Sequence, residues 1–262
     1  MRAEVESLEF SSKEGQFREW CERERIKRFL FDLDDTICST KEIFGRAIDR
    51  VCRLLAEQGG AWGEDKWKNE VKRINNRLFE EFGVNPCRWN LLVDELTKMY
   101  ALEKAVGSAL VAVFEEVYLT PLVFKEGAEN GLRFIKSSGV SIGIVTHANS
   151  EWTKRKYNWL NLGRFVEWEE IFLVDENSHK TRESWLGAMR HFNLEPENCA
   201  VVGDSPRFDI NPPRELGVRH CFLVEDRGLW DVHNQPIDSG VWRIKSLAEI
   251  PEVAFRKFSY KV

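Results

Sequence analysis

The chain has 262 residues, more than the ~100–150 of a usual single domain and enough for one domain carrying a large insertion. Hydrophobic residues make up 43% and aromatic residues 12%, with ten Trp and seventeen Phe, so a sizeable core can be buried and the disordered, collagen-like and coiled-coil classes are excluded. Thirty-eight basic against forty-three acidic residues give a formal net charge of −5, which argues against a general polyanion binder; no nucleic-acid partner is expected.

In chain order, residues 1–24 are a charged N-terminal extension with helical potential. The first ten lack the basic-then-apolar order of a secretory signal. The longest helical apolar stretch, residues 105–114, falls short of the ~20 that span a bilayer. A soluble, cytoplasmic protein without membrane association is expected. Cysteines stand at 21, 38, 52, 87, 199 and 221 with no C-x-x-C pair or Cys/His ladder, as reduced thiols in that compartment would. Arg28–Phe31 then forms a short apolar run that stops at Asp32, the pattern of a buried strand ending in a loop.

From residue 41 to 119 the apolar residues keep helical spacing and no strand-like run interrupts them, so this interval is expected to be an inserted helical domain. Ile43, Ala47, Ile48, Val51, Leu54 and Leu55 make one stripe ended by Gly59 and Gly60; Trp67, Val71, Ile74 and Leu78 make a second before Gly83. Residues 89–100 and 104–117 complete four helices. Trp67 and Trp89 fall in these stripes and are expected in the core, and Lys41, Arg46 and Arg50 on a solvated face. Pro121 and the turn near Gly127 return the chain to a second regime. Strand-like runs at residues 140–145, 171–174, 199–202 and 221–224 alternate there with helical stretches such as 128–135 and 185–192. Residues 25–40 and 120–262 are therefore expected to form an α/β core, a Rossmann-like parallel sheet with helices on both faces.

Chemistry concentrates where apolar runs stop. In an extended Asp-x-Asp, alternate side chains share one side, so Asp32 and Asp34 of Phe31-Asp32-Leu33-Asp34-Asp35-Thr36 can converge. Alone, this string reads equally as an acidic turn capping a helix. Gly203-Asp204-Ser205-Pro206-Arg207-Phe208-Asp209 also follows a buried run directly. If the two strand ends are neighbours, Asp32, Asp34, Asp204 and Asp209 meet, and such a cluster requires a cation. All-oxygen ligands favour Mg²⁺. Thr146, ending the run at 140–145, offers a hydroxyl beside exposed backbone N–H groups that suit an anion, although a plain helix cap has the same form. Lys180, beyond residues 171–174, could neutralise phosphate oxygens; unaided it reads as one solvated lysine among many.

Taken together and in order, these strings resemble the four motifs of the haloacid dehalogenase-like superfamily, specifically its phosphatases: Asp32 to Thr36, then Thr146, then Lys180, then Gly203-Asp204 through Asp209. The resemblance spans residues 28–248, and the insert at 41–119 is similar to the family's helical C1 cap. Thr181 in place of a frequent proline and Cys38 in place of a short acidic residue depart from the pattern. The resemblance implies Asp32 as nucleophile, forming an aspartyl-phosphate, and Asp34 as general acid and then base. It implies Mg²⁺ on the Asp32 and Asp204 carboxylates and the Asp34 backbone carbonyl, aided by Asp209, and phosphoryl oxygens on Thr146, the His147 backbone N–H and Lys180. The expected partner is a small phosphorylated metabolite and the expected state a monomer or homodimer. A phosphosugar mutase keeps the same two aspartates and stays open, as does a non-catalytic binding protein on the same fold.

Overall fold

The computed structural model describes residues 12–58, 62–225 and 235–258. The first eleven residues, and Gly59 and Gly60 at the expected end of the first insert helix, lie outside the described residues. Six strands, β1 (Arg28–Phe31), β2 (Ser141–His147), β3 (Ile171–Val174), β4 (Cys199–Gly203), β5 (His220–Val224) and β6 (Trp242–Ile244), form one parallel sheet in the order β3-β2-β1-β4-β5-β6. The chain winds outward from β1 through β2 to β3, then returns to lay β4 against the other edge of β1, pairing Phe31 with Val202. The carboxyl ends of β1 and β4 therefore flank the switch point, where open parallel sheets leave a ligand crevice.

Successive strand side chains face opposite ways, which is why the strands are apolar throughout. Phe29, Phe31, Ala200 and Val202 join one core, whereas Leu30, Cys199, Val201, Cys221 and Leu223 join a second on the other face. The second core is closed by Trp185, Ala188 and Met189 of helix α8 (Arg182–His191), numbered after α1 to α7 below. This helix begins three residues before the expected 185 because Thr181 caps it, its side chain accepting from the Ser184 N–H at 3.4 Å.

On the first face, α1 (Lys13–Arg23) buries Phe17, Trp20 and Cys21, so this charged segment is packed onto the sheet, with Phe17 5.8 Å from the Phe29 ring. Helices α2 (Lys41–Glu57), α3 (Glu64–Phe82), α4 (Cys87–Tyr100) and α5 (Lys104–Val117) follow β1 and pack on one another. Phe44, Ala47, Ile48, Val51, Cys52 and Leu55 make the buried stripe of α2; Ile43 and Leu54, expected in it, flank it and are partly buried, with Phe44 taking the inner position beside Ile43. Trp67 and Trp89 are buried, as their spacing required. Helices α6 (Ala128–Ser137), α7 (Ser150–Trp159), α9 (Asn211–Glu215) and α10 (Ile250–Phe258) are the other α-helices among the described residues.

Two further elements differ from expectation. β2 continues to His147 because Thr146 and His147 pair with Leu173 and Val174, and the three-residue β6 follows no apolar run. All six cysteines are free, only Cys87 being exposed, and burial holds the Cys38 thiol well above its ordinary value, as an inert core thiol. No helix among the described residues is long and apolar enough to cross a membrane.

Candidate active site

β1 hands the chain to Asp32 in strand register, the Asp32 N–H donating to the Val202 carbonyl at 2.9 Å. One residue past β4 stands Asp204, and a single wide turn over Pro206–Ile210 brings Asp209 back beneath it. Ser205 sets that turn: its carbonyl accepts from the Asp209 N–H at 2.8 Å, and its own N–H donates to Asp209 Oδ2 at 3.1 Å. Gly203 permits the approach, since a Cβ there would fall 2.2 Å from the Asp209 Cβ. Gly203→Ala is expected to displace Asp209, lowering stability by ~1–3 kcal/mol and turnover by more than that loss of fold explains; a urea midpoint and initial rates measured together check it.

Asp32, Asp204 and Asp209 each present a carboxylate oxygen, all within 4.8 Å of one another. Lys180 answers part of this charge: its ammonium bonds Asp32 Oδ1 and donates to Asp209 Oδ1 at 2.8 Å. Burial would pull the Lys180 ammonium down, but Asp209 and Asp32 outweigh it and hold it above its ordinary value. Burial, then the charges of Asp209 and Asp32, pushes Asp204 well up; burial likewise raises Asp209 to about 6 against the opposing pull of Lys180. Asp32 Oδ2 is buried with no hydrogen-bond partner among the described residues. One lysine against three carboxylates with an orphaned buried acceptor fits a hard divalent cation held by oxygen.

The neighbouring acidic residues divide their work. Asp35 is the helix cap: its carboxylate accepts from the N–H groups of Thr40 at 2.8 Å and Lys41 at 2.9 Å at the start of α2. Asp34 lines the cavity above the cluster, but its carboxylate is outside the three-residue group and accepts twice from Lys156 Nζ, at 2.6 and 2.7 Å. Lys156, on α7, is fully buried, with its ammonium 3.7 Å from the Trp152 ring centroid.

Thr146 is fully buried and its hydroxyl oxygen has no partner among the described residues. His147, Ala148 and Asn149 line the cavity, and Asn149 caps α7 by accepting from the Trp152 N–H at 2.8 Å. Burial, then the charges of Lys180, His179 and Arg88, pulls the His147 imidazole from its ordinary 6.5 down to about 3. Below pH 6.5 the unfolded chain therefore takes up a proton that the folded chain refuses; this stability is present above pH 6.5 and is lost as pH falls toward 3. Urea midpoints at pH 7 and 5 are expected to show His147→Gln removing ~2 kcal/mol of that loss.

The structure brings Asp32, Asp34, His147, Lys180, Asp204 and Asp209 to one cavity; Thr146 lies behind it. Lys41, Arg46 and Arg50 are not among its lining residues, and Arg50 pairs with Glu116 at 2.7 Å. Lys156, Arg88 and Asn75, none of them anticipated as site residues, do belong to this region: Arg88 and Asn75 line the cavity, and Lys156 holds Asp34.

Carboxylates delivered by two adjacent strand ends of a doubly wound sheet place an acidic ligand crevice at its switch point, the arrangement of an α/β protein of the ligand-binding, enzyme-bearing class. The haloacid dehalogenase-like hydrolase family matches residues 26–217, and the chain belongs to it. It is 28% identical over 196 residues to the glyceraldehyde 3-phosphate phosphatase of Pyrococcus furiosus, covering 74% of this chain and 79% of that protein. It is 24% identical over 213 residues to the phosphoglycolate phosphatase of Pseudomonas putida, covering 80% of this chain and 72% of that protein. A haloacid dehalogenase-like family hydrolase from Xanthomonas campestris shares the fold, with a TM-score of 0.71 at 15% identity over 89% of this chain and 95% of that one.

Proposed function

We propose that the chain is a cytoplasmic Mg²⁺-dependent phosphatase that hydrolyses a small phosphomonoester through an aspartyl-phosphate. The observation that carries this reading is Asp32: a strand-end carboxylate grouped with Asp204 and Asp209, with one oxygen beside Lys180 and the other buried without a partner among the described residues. In this reading residues 41–119 are a cap over a core of residues 25–40 and 120–262, extended by residues 1–24.

An Asp32 oxygen attacks phosphorus as the ester P–O bond breaks, and Asp34 supplies the proton that the departing alkoxide needs. Water then attacks the phosphoaspartate. Asp34 takes its proton, the Asp–O–P bond breaks, and inorganic phosphate leaves. For the first step Asp34 must carry a proton, so at least one of its two bonds from Lys156 is exchanged for one to the substrate. Lys180 bridges Asp32 and Asp209 and faces the phosphoryl oxygens with the His147 backbone N–H, while the buried Thr146 hydroxyl backs that position from behind the cavity wall and would reach the phosphoryl group only by a small shift. The Asp32, Asp204 and Asp209 carboxylates and the Asp34 backbone carbonyl would hold Mg²⁺, which neutralises carboxylate and phosphoryl charge.

The cavity is enclosed by side chains of α2, α3, α4 and α7, which favours a metabolite over a folded phosphoprotein. Purified protein assayed with Mg²⁺ against small phosphate esters is expected to release inorganic phosphate, and EDTA to stop it. An isomer formed without phosphate release would instead establish a mutase, and no turnover of any ester would sink the enzymatic reading.

A further inference from the structure

Arg88 and Asn75 stand in the helical wall of the cavity, on α4 and α3, at 6% and 2% exposure. The Arg88 guanidinium spends one N–H on the Gly83 carbonyl, through Nη1 at 2.6 Å, and this is its one hydrogen bond among the described residues. Its Nε is buried with no partner, and no carboxylate pairs with it among the described residues. Asn75 beside it in the wall is also buried, but its orphaned atom among the described residues is Oδ1, an acceptor, so the call for an anion comes from Arg88. A guanidinium taken out of water without an anion costs several kcal/mol, and the rings of Phe79 and Trp89, 5.4 and 4.7 Å from its central carbon, offset only a part. The other lining cations are committed: Lys180 to Asp32 and Asp209, while His147 is neutral at physiological pH.

We infer that Arg88 binds a second anionic group of the substrate, carried at the end away from the phosphoryl group, so that the substrate class is a small phosphate ester bearing a carboxylate or a second phosphoryl. This inference rests on the phosphatase reading for which end of the substrate is cleaved, and on the cavity alone for where the second anion sits. It separates this chain's substrate from an ester whose organic part is uncharged. Charge-assisted hydrogen bonds in a desolvated wall give the selectivity, and the planar fork of an arginine fits either anion.

The test is binding, measured by titration calorimetry on the full chain with Mg²⁺. Phosphonoacetate and methylenediphosphonate carry a second anion of each kind; methylphosphonate carries none. The wild-type chain is expected to bind one or both of the first two about tenfold or more tighter than the third. Arg88→Gln removes the charge, and the near-isosteric Asn75→Asp places a competing anion in the wall. Each variant, folded by its urea midpoint, is expected to bring the preference within about threefold. Equal binding of all three phosphonates by the wild type, or a preference that survives in both variants, overturns the inference. Binding does not require turnover, so a chain that shows the preference but releases no phosphate loses the phosphatase reading and keeps the anion subsite; a phosphatase without the preference loses only the subsite.

Discussion

Asp32→Asn is expected to lower Mg²⁺-dependent phosphate release by about 10³-fold or more, ~4 kcal/mol of barrier, while leaving the fold in place. Asparagine has the shape of aspartate, and the neighbours of residue 32 keep their other bonds: Lys180 still donates to Asp209 at 2.8 Å, and the residue 32 N–H still meets the Val202 carbonyl. What the amide lacks is the nucleophilic oxygen and one of three anionic ligands in the acidic cluster. Initial rates, a urea midpoint and acid-quenched turnover with phosphorus-labelled ester test the two losses separately. The wild type should yield protein-bound label and the variant none. Turnover retained within tenfold, or label still trapped on the variant, would reject Asp32 as the nucleophile.

The acidic cluster was legible in the sequence because two of its three members, Asp32 and Asp204, directly follow runs of buried strand residues. Strand ends in a doubly wound sheet point to one edge, so Phe31-Asp32 and Gly203-Asp204 announce a shared location even before their strands are known to be neighbours. The pairing of Phe31 with Val202 then supplies the adjacency that no local pattern contains. Lys156 is the opposite case. It lies 122 residues from Asp34, and a lysine on a helix rich in Lys and Arg is solvated by default; only the inward face of α7, set by Trp152 and Thr153, turns it into the core. Phe17, Trp20 and Cys21, by contrast, carry a readable three- and four-residue spacing that marks a packed helix inside a charged segment. Trp242–Ile244 carries no such signal, because a three-residue edge strand next to β5 needs only one buried side chain, Ile244, to hold it. Arg88 and Asn75 were hidden for a related reason: polar residues in amphipathic helices normally face water, and here the cavity replaces it.

The pairing of Asp34 with Lys156 leads to a prediction in which activity and stability come apart. Asp34→Asn removes the acid and base of both steps, so kcat is expected to fall by about 10²–10⁴-fold. It also leaves a fully buried ammonium without its anion, held only by the neutral amide oxygen at position 34 and the Trp152 ring at 3.7 Å, and stability should drop by about 3 kcal/mol. Lys156→Met is expected to cost less, about 1 kcal/mol, because the Asp34 side chain is 25% exposed and can be solvated from the cavity. The double variant, with a neutral amide facing an apolar chain of similar length, should recover most of the stability lost by Asp34→Asn, giving a coupling energy of about 3 kcal/mol in a double-mutant cycle. Its kcat should stay as low as that of Asp34→Asn. Recovery of turnover along with stability would mean that Asp34 serves to satisfy Lys156 and not to move protons, and equal urea midpoints for wild type and Asp34→Asn would show that the pair contributes nothing to the fold.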